Sequence, residues 1–159
     1  MAAQPLFDIS KIDLNQVDVS AEEVGQINPQ AGDMRHLDHV IWLADDFKYS
    51  LGVKHVKHDE FWVPFHIPGR PLLPGVLMIE AAAQLCSIVH RSRPEVDKNQ
   101  FVGFTRCDEV AFRGQVVPGD TFYLLVEEIS HKPKRFISAT QGIVNGSIVF
   151  EAKITGMVL

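Results

Sequence analysis

Between His66 and Gln84 the chain reads HIPGRPLLPGVLMIEAAAQ, and no other stretch constrains the fold as much. Pro68, Gly69, Pro71, Pro74 and Gly75 exclude a helix interior or a central strand, so residues 66–74 form a loop in which prolines fix φ at three positions. A stiff loop can hold one side chain in one place. From Val76 to His90 there is no breaker, and Leu, Met, Ala and Gln are frequent. This predicts a helix of about four turns that opens at Pro74 and Gly75.

On that helix Glu80, Gln84, Ser87 and Arg91 recur at spacings of four, three and four and share one narrow stripe, while apolar residues cover the rest. The stripe fits the solvent face of an amphipathic helix. It is only one residue wide, however, and Glu80 lies between Ile79 and Ala81, so its carboxyl group is expected to border an apolar cavity. Such a site favours the protonated form, because desolvation penalises the charged one.

The 159 residues fit one domain, and a 46% hydrophobic content is enough to build a core. Residues 1–19 are weakly patterned and read as an N-terminal extension, whether strand, arm or partly disordered; residues 20–159 read as a single domain. Ser20 and Glu23 have capping-box spacing and open a short helix to about Ile27, before Pro29. Leu37–Ala44 and Tyr49–His58 read as strands joined at Asp45–Asp46. After a polar loop, Arg91–Gln100, strands are expected at Phe101–Phe104, Val110–Phe112, Thr121–Glu128, Phe136–Val144 and Ser147–Met157. Pro118–Gly119 marks a tight turn and Asn145–Gly146 a type I′ hairpin. On the last strand Ile148, Phe150, Ala152 and Ile154 alternate with Val149, Glu151, Lys153 and Thr155, which predicts one face on a core and one towards water. Strands, one apolar helix and more strands make an α+β domain whose sheet curls round the helix.

Several function classes are disfavoured. A net charge of -5 without a long Lys/Arg run argues against non-specific nucleic-acid binding. No apolar run approaches a bilayer span, and the start MAAQPLFDIS does not read as a secretory leader. Cys86 and Cys107 form no CxxC pair and are too few for a disulfide scaffold, so a cytoplasmic location is expected. His36/His39 and His55/His58 are pairs three apart, which on a strand point to opposite faces, so no metal is expected.

The loop and helix resemble the signature of the 3-hydroxyacyl-acyl carrier protein dehydratases, the FabA/FabZ family. His66, Pro68, Gly69, Pro71, Pro74, Gly75, Val76, Leu77, Glu80, Ala81, Ala83 and Gln84 fall in register with it. A second block, FVGFTRCDEVAFRGQVVPGD at Phe101–Asp120, resembles the family's strand after the helix and its Pro-Gly-Asp turn, and a weaker likeness runs from about Leu37 to the end. Glu80, where the isomerase branch has Asp, places the chain nearer the FabZ branch. The resemblance implies a hotdog fold, an antiparallel sheet wrapped around one long central helix. It also implies dehydration of 3-hydroxyacyl thioesters to trans-2-enoyl thioesters in fatty acid biosynthesis, with acyl carrier protein as partner, no cofactor, and a homodimer or a trimer of dimers.

Carried onto this sequence, the resemblance makes His66 and Glu80 the catalytic pair, in one site but from two different chains of the dimer. The chemistry asks for a base at C2, an acid for the leaving hydroxyl at C3, and donors for charge developing on the thioester oxygen. A loop histidine suits the base, and a protonated Glu80 the acid. The free amides of Gly75 and Val76 at the helix start suit the oxygen. Gln84, one turn beyond Glu80, either orients its carboxyl group or is an inert neighbour. Arg113 is expected to position structure near the site mouth. Phe65 stands where the family has glycine and is expected to bend the loop or narrow the substrate tunnel; Ile67, Leu73 and the Gly114–Gln115 pair are further departures. Two other readings are a hotdog acyl thioesterase, which would not need a loop histidine, and a non-catalytic acyl-binding module. Arg91, Arg93, Lys98, Lys132, Lys134 and Arg135 are candidates for a basic docking patch.

Overall fold

The apolar run after Pro74 forms the long helix. In the computed structural model, which describes residues 3–159, the chain runs α1 (Ala21–Ile27), β1 (His39–Leu43), β2 (Tyr49–His55), α2 (Gly75–Arg91), β3 (Val102–Phe112), β4 (Thr121–Lys132), β5 (Arg135–Val144) and β6 (Ser147–Val158). The strands make one antiparallel six-stranded sheet in the order β1-β2-β4-β5-β6-β3. Its inner face closes on α2, where Ala81, Leu85, Ile88 and Val89 pack with Phe122, Leu124, Phe150 and Ile154 in the main core. This is the hotdog architecture implied by the resemblance.

Local chemistry behaves as the sequence indicates at several points. Ser20 and Glu23 form a reciprocal capping box on α1. Asn145 and Gly146 both take positive φ, 49° and 77°, as a type I′ turn requires.

Three expectations are corrected. The stretch Thr105–Glu109, which reads as a polar gap between two short strands, belongs to one continuous β3, kept in register with β6 by irregularities after Phe104 and after Asp108. Glu109 takes a φ of 52° there. Being at the sheet edge, β3 tolerates polar residues and bulges that a central strand would not. On β6 the alternation slips, because Ile143 pairs with Ile148 while Gly142 pairs with Phe150, so the bulge leaves Val149 with Phe150 in the main core. Ile148 instead joins Ile143 in a second cluster.

That second cluster overturns the expectation of a water-facing sheet side. Ile41, Leu51, Val53, Leu125 and Ile143 are buried, with Leu6, Phe7, Ile9 and Ile12 packed against them. The Phe7 ring meets Trp42 and Tyr49 edge-on at 5.6 and 5.5 Å. Gln141 clasps the segment, accepting from Leu6 N at 2.8 Å and donating to Gln4 O at 2.9 Å. The described part of the extension is therefore an arm that covers the outer face of β1, β2, β4 and β5. It touches the sheet as a strand only through the Val19–Val40 bridge.

Candidate active site

The His66 loop is built from anchors on both sides. Buried Trp62 supplies its carbonyl to the amides of Phe65 and His66 at 3.1 and 2.7 Å, and its indole N–H donates to Glu60 Oε2 at 2.8 Å. Glu60 in turn pairs with the buried Lys54 at 2.9 Å. Downstream, buried Leu73 donates its amide to Val116 O at 2.8 Å, tying the loop to the segment before β4. His66 Nδ1 lies 2.7 Å from Leu72 O. A carbonyl can only accept, so Nδ1 carries the proton, and in the neutral ring Nε2 is left with the lone pair.

Two departures in this loop acquire a structural meaning. The positive φ falls on Ile67, at 57°, and not on Phe65. Phe65 therefore fits its backbone position, while β-branched Ile67 bears the strain. The Phe65 side chain is 80% exposed, so it is no core residue.

Helix α2 starts uncapped. Pro74 at the N-cap gives no side-chain hydrogen bond, and its carbonyl takes the amides of Leu77 and Met78. The amides of Gly75 and Val76 are left unpaired at the positive end of the helix, and Val76 is 69% exposed. A Cβ on Gly75 would come within 2.8 Å of the Phe112 ring, so glycine also permits close approach of β3.

Gln84 is buried and held at both ends. Its Oε1 accepts from the amides of His36 and Leu37 at 2.9 and 3.1 Å, and its Nε2 donates to Met34 O and to Glu80 Oε1 at 2.7 and 2.8 Å. Half-buried Glu80 thus has Oε1 fixed. It borders a small cavity whose exposed lining is about evenly polar and apolar, with Phe104, Phe136 and Ile154 beside Gln30 and Ser87, and not the apolar cavity expected. His66 does not line this cavity. The backbone groups that hold His66 and Gln84 carry no sequence signal; Phe104 and Phe136 were visible only as strand hydrophobics.

Other candidates are placed as follows. Arg113 pairs with Glu151. In the basic set, Arg91 donates to the carbonyls of Gln100 and Lys98, and Arg93 pairs with Glu128, so both are turned inward. Lys132, Lys134 and Arg135 are exposed at the β4–β5 turn. His39 and His55, one from each pair, meet across β1 and β2 with ring centroids 6.3 Å apart, and His55 Nδ1 lies 3.0 Å from Asp38 Oδ2. Among the described residues no group of three or more His, Cys, Asp or Glu is arranged to hold a metal ion. No helix among them is long and apolar enough to cross a membrane.

Comparison with known proteins bears on the family and the fold. A family model described as a FabA-like domain matches residues 28–153. A protein of Dinoroseobacter shibae named 3-hydroxyacyl-[acyl-carrier-protein] dehydratase FabZ is 36% identical over 115 residues, covering 70% of this chain and 71% of its own length. Among solved structures, the dehydratase heterocomplex ApeI:P from Xenorhabdus doucetiae superposes with a TM-score of 0.72 at 17% identity, over 86% of this chain and 90% of that one. A mutant thioesterase from Pseudomonas aeruginosa superposes at 0.66 with 15% identity, over 92% and 99%. These structural likenesses speak for the fold alone. The matched segment spans the His66 loop, α2 and the sheet through β5 and most of β6, and on that ground the chain belongs to the FabA-like family.

Proposed function

We propose that this protein dehydrates 3-hydroxyacyl thioesters, carried on acyl carrier protein, to trans-2-enoyl thioesters in fatty acid biosynthesis. The observation that carries the reading is the His66 Nδ1 to Leu72 O bond, which leaves Nε2 as the basic nitrogen on a rigid loop. In this mechanism Nε2 takes a C2 proton and the C2–H electron pair becomes the C2–C3 double bond. The C3–O bond breaks, and the leaving hydroxyl departs as water with a proton from Glu80. Gln84 occupies Glu80 Oε1, so Oε2 is the oxygen that delivers the proton. Return of the proton from the imidazolium to the carboxylate resets the site. The Gly75 and Val76 amides stabilise charge on the thioester oxygen, a contribution of about 3–4 kcal/mol per donor in comparable sites.

The acid comes from a second chain. His66 does not line the cavity beside Glu80, and edge strand β3 presents Phe104, Val110 and Phe112 to solvent at 48, 39 and 51% exposure. Exposed apolar side chains at both ends of an edge strand call for a partner surface. A homodimer joined along β3 and α2 would cover it and bring each His66 to the partner's helix; a trimer of dimers is compatible. Free thiols at Cys86 and Cys107 suit a reducing cytoplasm.

Purified protein mixed with a 3-hydroxyacyl thioester tests the reading. Appearance of the conjugated enoyl thioester supports it. Free thiol would mean a thioesterase, and neither product an acyl-binding module.

A further inference from the structure

The arm that covers the outer sheet face is held less firmly than the face it covers. Beneath it Ile41, Leu51, Val53, Leu125 and Ile143 expose no more than 3% of their surface. The covering side chains, Leu6, Phe7, Ile9 and Ile12, are each only half-buried, and the short helical turn Ile9–Lys11 contains no buried residue. A cleft of about 410 Å³ stays open between the arm and Trp42, whereas well-packed elements leave few voids. Among the described residues Gln141 is the one polar anchor of residues 3–12 on the sheet, through Leu6 N and Gln4 O. Asp8 and Lys11 pair with each other and not with the sheet. In residues 13–17 the hydrogen bonds are local, from Asn15 and Gln16 to Asp13 and from Gln16 to Asp18, and Leu14 and Val17 are exposed. The chain grips the sheet again where the amides of Asp18 and Val19 meet Val40 O. Shallow burial beyond an exposed hinge makes a segment of low local stability.

We propose that residues 3–12 are a releasable strap that keeps this sheet face from docking against the same face of a second copy. Once the strap lifts, the five buried aliphatic side chains surface together with Trp42, Tyr123 and Ile148 around them. A contiguous apolar patch of that kind marks an association site. All eight side chains are neutral, so a strongly charged partner finds nothing complementary there. A two-fold contact, in contrast, sets each residue near its own copy without like-charge repulsion. Two sheet faces also pack flat on one another at about 10 Å, which covers the patch more completely than a strap one segment wide. The strap keeps its place despite shallow contacts because the tether holds it at roughly millimolar effective concentration. It is thus an autoinhibitory contact on assembly, at the opposite side of the sheet from edge strand β3.

The experiment uses the full-length chain with a protease site built into the exposed hinge at residues 14–17 and cut after folding, so that the sheet forms under its strap. Gel filtration with light scattering gives the mass before and after cutting, and mass spectrometry of the eluted protein shows whether the arm has left. At about 10 µM protein, far below the tethered concentration, the cut arm is expected to leave. The mass should then rise about twofold or more, increasingly with concentration. Tyr123→Lys, at a half-buried position of the same face, should release its arm on cutting yet keep the uncut mass, because like charges then meet across the contact. Ile148→Lys serves the same purpose if that variant folds poorly. An arm that stays bound after cutting, a released arm with no change in mass, or a mass increase that the lysine variants leave intact each overturns the proposal.

Discussion

Gln84 Nε2 stands 2.8 Å from Glu80 Oε1, one helical turn away, while Gln84 Oε1 takes the amides of His36 and Leu37. Two N–H donors fix the carbonyl end, so the amino end has to face Met34 O and Glu80. The side chain thereby transmits the position of residues 34–37 to the proposed acid. Gln84→Met fills the same space without either bond. It should lower kcat about 10–100-fold with a smaller change in KM, and orphaning two buried amides should cost about 1–3 kcal/mol each in thermal or denaturant unfolding. Unchanged kcat in a folded variant would leave Gln84 a structural residue only.

The His66 loop stores strain at Ile67, whose φ of 57° a β-branched side chain disfavours. Ile67→Gly should stabilise the fold by about 1 kcal/mol and lower kcat through a looser loop. Phe65 behaves differently, because its ring is already outside the core. Phe65→Gly should keep the fold and raise activity most on longer acyl chains, if the ring narrows the tunnel in the assembled dimer. A chain-length series identical to wild type would remove that gating role.

Acid should destabilise the protein in a defined window. His90 is fully buried, beside His131 and Phe136 at 5.2 and 5.0 Å. Burial first, and then the positive field of His131, Arg93, Arg91 and Lys98, pushes its pKa from 6.5 down to about 4. Between these values the unfolded chain binds a proton that the folded chain refuses. The contribution is therefore complete above about 6.5 and is lost as pH falls towards about 4. His36, lowered mainly by burial, acts in the same direction. Glu128, raised by burial, opposes it, since its folded form holds a proton more readily. His90→Leu should flatten the slope of unfolding free energy against pH in this window. An unaltered slope would assign the acid limb to other groups.

Docking of a strongly acidic carrier should depend on Lys132, Lys134 and Arg135, the cations left exposed at the β4–β5 turn. Turnover of carrier-bound substrate is expected to fall with salt much more than turnover of a small thioester, and charge reversal at these three positions should abolish the difference. Equal salt dependence of the two substrates in wild type would contradict docking through this turn.

Much of this molecule was legible in the sequence because its strongest signals are local. Proline and glycine fix the His66 loop, an unbroken apolar run fixes α2, and Asn145–Gly146 fixes the last hairpin. What escaped depends on contacts distant along the chain. The outer sheet face seemed destined for water because nothing local says that Phe7 packs between Trp42 and Tyr49, or that Gln141 clasps Leu6. The bulge at Val149 reverses Ile148, and its one local sign is Gly142 on the facing strand. Around the site, His66 and Gln84 were visible as residue types at the right spacing. The carbonyls of Leu72 and Met34 and the amides of His36 and Leu37 that orient them are backbone groups, which every residue type shares.

The central claim, a site assembled from His66 of one chain and Glu80 of its partner, is tested most directly by complementation. His66→Ala and Glu80→Ala are each expected to be nearly inactive as homodimers. After the two are unfolded together and refolded as a mixture, about half the dimers are mixed, each with one site holding both groups and one holding neither. The account requires enoyl-forming activity to recover to roughly a quarter of wild type. No recovery, with subunit exchange verified, would place both groups in one chain and contradict it.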